Sequence, residues 1–99
     1  MILVVLRAAE EDAEEAFRWY EARRAGLGGE FVAEVDSAFE RALSMPSSFP
    51  VAYRGLRRVA LKRFPFLVYF REQGDVLQVF GVLHGLRDRR RLRRRSTLP

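Results

Sequence analysis

Arg57-Arg58-Val59-Ala60-Leu61-Lys62-Arg63-Phe64-Pro65-Phe66-Leu67-Val68-Tyr69-Phe70 is the stretch that decides the fold. From Leu56 to Arg63 its side chains alternate, with Val59 and Leu61 to one side and Arg58, Ala60 and Lys62 to the other. A period of two marks a half-buried strand with a basic outer surface. Pro65 breaks that strand because it has no N–H to give a ladder. Leu67 to Arg71 resumes as a second strand, Gln73-Gly74-Asp75 carries turn chemistry, and Val76 to His84 is a third. Such short connections predict an antiparallel meander.

Working outward, residues 45–55 hold Pro46, Ser47, Ser48 and Pro50 and read as a loop, with Phe49 as its anchor under the fold. Before it lie two helical stripes. Residues 8–25 place Ala9, Ala13, Ala16, Phe17 and Tyr20 on one side, and residues 29–44 do the same with Phe31, Val32, Val35, Ala38, Phe39, Ala42 and Leu43. Acidic residues crowd the first turns of the first helix and arginines its end, as the helix dipole favours. Gly26 is suited to a left-handed stop, and the short link predicts an αα-hairpin. Ile2 to Leu6 is a nearly continuous apolar run, expected as a strand. The expected fold class is therefore α+β in the order β-α-α-β-β-β. The helical hairpin packs on one face of a small, mainly antiparallel sheet, because each helix has one stripe to bury. The other face is left to solvent or a ligand. Past Gly85 the apolar period is lost, and weak order is expected there.

With 99 residues the chain is one domain, and its 48% hydrophobic content suits a folded core. It has no apolar run long enough for a membrane span, and its N-terminal segment lacks the basic and cleavage features of a signal peptide. The absence of Cys removes disulfides and thiolate metal sites and fits a cytoplasmic location. Charge is lopsided. Residues 1–45 carry 5 basic and 10 acidic side chains, whereas residues 46–99 carry 13 basic and 3 acidic. Seven arginines fall within residues 87–95 against one Asp. Such a block attracts polyanions or an acidic protein, or else simply solvates a chain end.

The polar side chains of the meander define the candidate site. Arg57, Arg58, Lys62, Arg63, Arg87, Arg89, Arg90 and Arg91 are candidates for gripping a nucleic acid or another target. His84 and Arg71 are candidates for catalysis of RNA cleavage, with His84 as acid or base and the cations on the developing phosphorane charge. A lone His at a strand end is more often a hydrogen-bonded structural residue than a catalyst, and Asp88 is suited to pairing with the arginines. No cofactor or metal is expected: one His and no Cys make a poor donor set, and Gly26-Leu27-Gly28-Gly29 lacks the pattern of a phosphate loop. The serines lie outside any nucleophile motif.

Several phrases together resemble the RelE/ParE toxin superfamily. They are Trp19-Tyr20-Glu21, Gly26-Leu27-Gly28, Phe49-Pro50, Arg57-Arg58, Phe64-Pro65-Phe66 and His84-Gly85-Leu86-Arg87. The resemblance spans residues 1–88 as a toxin domain and leaves residues 89–99 as an arginine-rich tail. It implies a toxin–antitoxin hetero-oligomer, in which a co-encoded antitoxin lays an acidic, extended and partly helical segment on the toxin. It also implies one of two targets. ParE-like members block DNA gyrase without being enzymes, and the helical hairpin with its Gly-Leu-Gly hinge favours that branch. RelE-like members are metal-independent endonucleases of mRNA on the ribosome. They often carry a Tyr or His near the C-terminus, whereas here no Tyr follows His84.

Overall fold

The computed structural model describes residues 1–96. Strand β1 (Ile2–Val5) leads into helices α1 (Arg7–Arg23) and α2 (Leu27–Ser44). A single 3-10 turn at Pro46–Ser48 precedes β2 (Val51–Tyr53), β3 (Leu56–Ala60), β4 (Phe66–Gln73) and β5 (Val76–His84), and helix α3 (Arg89–Ser96) closes the chain. The sheet order is β1-β5-β4-β3-β2, with β1 parallel to β5 and the other pairs antiparallel. The α+β class, the helical hairpin and the meander of the last three strands are as the sequence predicts.

Two expectations about the elements change. The segment read as a loop contains β2, which forms a hairpin with β3 through Arg54-Gly55. Both turn residues have positive φ, 46° and 82°, which matches the right-handed strand twist in a two-residue turn. Arg in the first position hides this turn from sequence rules, which look for Asn or Asp there. The arginine tail also folds, as helix α3 rather than a weakly ordered end. Its final three residues, 97–99, lie outside those described.

The hairpin turn follows from Gly26, Gly28 and Glu21. Gly26 has φ 91°. The Glu21 carboxylate accepts the N–H groups of Gly26 (2.9 Å) and Gly28 (3.0 Å), two donors that the start of α2 otherwise leaves orphaned. Gly28 lies so close to α1 that a Cβ there would stand 2.8 Å from the Phe17 carbonyl oxygen.

The main core lies between the hairpin and the sheet. Phe31 of α2 is fully buried and meets Tyr20, Phe64 and Phe66 at ring separations of 5.1–5.3 Å. Phe64 and Phe66 both turn inward because β3 stops at Ala60 and the chain bends through Pro65. Phe49 anchors its loop edge-on against Phe70. A second, smaller core covers the opposite face: Leu56, Tyr69, Phe80 and Leu83 pack with Leu6, Leu67 and Leu92. Leu92 belongs to α3, so the chain itself covers part of the face expected to be open.

Candidate basic surface and its clamp

Alternation along β3 to β5 sorts the predicted cations by face. Arg57 stands beside the main core, where its Nη1 donates to the Phe49 carbonyl at 2.5 Å, fixing the loop. Arg58, its neighbour, is exposed on the α3 side. Arg71 lies on that same side, with its guanidinium 5.0 Å from the Phe80 ring and its Nη2 donating to Gln73 at 3.2 Å. His84 pairs with Phe66 across the ladder, and its ring stands edge-on to Phe66 at 5.5 Å, on the hairpin side. The structure therefore does not bring His84 and Arg71 onto one surface. The His84 Nδ1 accepts the N–H groups of Leu86 and Arg87, both at 3.2 Å, and so organises the turn after β5.

The bend after β3 sets the next pair. The Glu34 carboxylate accepts the backbone N–H groups of Lys62 (2.8 Å) and Arg63 (3.0 Å), and it also takes the Arg63 Nε at 2.5 Å. Glu30 binds the same guanidinium at 3.0 Å. The hydrogen bond from Arg63, then that from Arg24, holds Glu30 below its usual range. Partial burial pushes the Glu34 carboxyl up, but the Arg63 and Lys62 donors together outweigh it and leave a net lowering. The Glu30 hydrogen bond in turn raises the Arg63 guanidinium. Arg63 is thus tied to α2, whereas the Lys62 side chain next to it is exposed.

Past β5, Arg87, Arg89 and Arg90 are exposed, and Arg91 turns back to α1, where Glu15 lies at 3.2 Å and raises its affinity for the proton. The residues that organise this region, Asp12 and Arg95, lie outside the expected site. β1 ends at Val5, so the β5 edge beyond it has no neighbouring strand. Carboxylates take its place: Asp12 Oδ2 accepts the Val82 N–H at 3.1 Å, and Asp88 accepts the His84 N–H at 2.8 Å. Arg95 of α3 grips Asp12 with both terminal nitrogens, Nη1 on Oδ2 and Nη2 on Oδ1, the latter at 2.8 Å. Nη1 also donates to the Phe80 carbonyl at 3.2 Å. Asp12 is the one buried charged residue among those described. Its position was legible as an acid on the apolar stripe of α1, between Ala9 and Ala16. Its partner, 83 residues further on, was not.

The family model described as "ParE toxin of type II toxin-antitoxin system, parDE" matches residues 3–89. The chain belongs to the ParE toxin family. A search among curated proteins finds no match. Among solved structures, the chain is similar to one titled "Chromosomal ParDE TA system from P. aeruginosa", with TM-score 0.67 and 20% identity over 85% of this chain and 95% of that one. At that identity the likeness shows the fold alone. This ParE-family chain is therefore a type II toxin by family, and α3 lies almost wholly beyond the matched residues. No helix among the described residues is long and apolar enough to cross a membrane.

One further surface accompanies the hairpin of this ParE-family fold. Val5, Ala13, Val32 and Phe39 line a shallow apolar groove between α1 and α2, flanked by Glu10 and Asp36. Val32 is 38% exposed there, a large apolar side chain left without cover on α2.

Proposed function

We propose that this chain is the toxin of a type II pair that arrests growth by binding and inhibiting DNA gyrase in the cytoplasm, without catalysing a reaction. The observation that carries this choice over mRNA cleavage is the division of His84 from Arg71 across the sheet. Phosphoryl transfer needs an acid–base group and charge-stabilising cations within hydrogen-bond reach of one phosphate. Here the imidazole organises a turn, while Arg71, its partner in the catalytic reading, lies on the far side together with Arg58 and Arg89. A protein ligand needs only a charged surface and apolar anchors, and both are present.

The co-encoded antitoxin neutralises the toxin by covering these features. An apolar helical stripe suits the groove of Val5, Ala13, Val32 and Phe39. An acidic extended segment suits the exposed Arg58, Arg89 and Arg90.

The test is ATP-dependent supercoiling of relaxed plasmid by purified gyrase, run beside mRNA integrity in a translating extract. Loss of supercoiling, restored by the antitoxin, with intact mRNA is the expected result. Unimpaired supercoiling with mRNA cut in the extract rejects the proposal.

A further inference from the structure

A groove of about 330 Å³ runs between the β2–β3 hairpin and α3. Its walls carry three guanidinium groups, Arg58 from β3 and Arg89 and Arg93 from α3. Tyr53 and Tyr69 supply aromatic surface, and Leu92 the apolar floor. No carboxylate lines it among the described residues. The nearest acid in sequence, Asp88, is already engaged by the His84 N–H. Tyr69 is buried and belongs to the fold, whereas Tyr53 is half-buried, with the Arg54 guanidinium 5.2 Å from its ring. The α3 wall is held in place by the Arg95–Asp12 clamp, so the groove is preorganised rather than assembled on binding.

We infer that this groove binds a single-stranded polynucleotide, with phosphates on Arg58 and Arg89 and an unstacked base against Tyr53. Guanidiniums match phosphate oxygens in forked geometry, and an aromatic ring accepts any base face. In a duplex the bases are stacked on one another and offer no free face to the Tyr53 ring, whereas a single strand can turn one base onto it while its phosphates meet the arginines. The antitoxin's acidic segment can occupy the same arginines, so the two ligands compete for the groove, and only the polynucleotide also gives the Tyr53 ring a base to stack on. The inference concerns binding alone, since His84 lies on the other face. It stands independently of gyrase as the target, because its assay contains neither gyrase nor antitoxin.

The test is fluorescence anisotropy of the full chain with labelled oligo-dT and oligo-U of twelve nucleotides, and with a blunt duplex, across a salt series. Both single strands are expected to bind more tightly than the duplex. A ratio between dT and U far from one assigns the strand as DNA or RNA, and a ratio near one assigns recognition to phosphate and base face. Arg58→Gln and Arg89→Gln should each lower the salt slope by about 0.7, one phosphate contact on a single strand. Tyr53→Leu should weaken binding about fivefold or more with the slope unchanged. Arg90→Gln, outside the groove, is the control, and thermal melts confirm that each variant is folded. The inference is overturned if the duplex binds as tightly as the single strands. It is equally overturned if Arg90→Gln matches Arg58→Gln while Tyr53→Leu changes nothing, since that pattern is diffuse attraction to a basic helix.

Discussion

Replacing Asp12 with Ala should cut α3 from the body of the protein and cost about 3 kcal/mol of stability. The Asp12 side chain is 3% exposed and accepts hydrogen bonds from the Val82 N–H and from both terminal nitrogens of Arg95. Removing one partner of a buried ion pair costs about 3–5 kcal/mol when the other charge stays trapped. Arg95 is 16% exposed and sits near the end of α3, so it can swing outward, which trims that figure. The Val82 N–H cannot move and loses its acceptor, a cost of about 1–3 kcal/mol. A chain of this size has a total stability of about 5–15 kcal/mol, so the loss is easily measured. Urea unfolding followed by far-UV circular dichroism gives the midpoint and the slope. Both should fall, the slope because a detached α3 leaves less surface to expose on unfolding. Asp12→Asn keeps an acceptor for Val82 and should lie between wild type and Asp12→Ala. A double-mutant cycle with Arg95→Ala should show coupling of about 1.5–3 kcal/mol. Additive single mutations, or a loss below about 0.5 kcal/mol for Asp12→Ala, would refute the clamp and the rigidity it lends to the basic groove.

Two other perturbations test the hairpin and the bend after β3. Gly28→Ala would gain helix propensity, yet its Cβ would stand 2.8 Å from the Phe17 carbonyl oxygen, so a net loss of about 1–2 kcal/mol is expected in thermal unfolding. Arg63→Ala should reshape the acid limb of stability. Glu30 and Glu34 are held below their usual range in the folded state, so their contribution is present above the unfolded carboxylate range and lost as pH falls through the folded values. The melting-temperature gap between wild type and variant should therefore close from pH 6 towards pH 3, and a gap constant across that range would contradict the Glu30–Arg63–Glu34 arrangement.

The sequence by itself determined the elements whose signal is local. Apolar side chains at helical spacing wrote the two long helices, Gly26 wrote the stop between them, and alternation around Pro65 wrote the meander. Phrases such as Phe64-Pro65-Phe66 and His84-Gly85-Leu86-Arg87 carried the family resemblance, because a chain bend and a strand end depend on a few adjacent residues. Only the tertiary structure decided what the polar residues do. His84 and Arg71 look like partners along the chain, but a sheet has two faces and the ladder register puts them on opposite ones. Arg63 and Arg91 look like free cations until α2 and α1 present Glu30, Glu34 and Glu15 to them. The arginine tail shows no apolar period beyond Leu92, so nothing local predicts order. It folds against the body because Arg95 reaches a carboxylate 83 residues away, and the pairing of a buried charge exists only once the chain has closed around it.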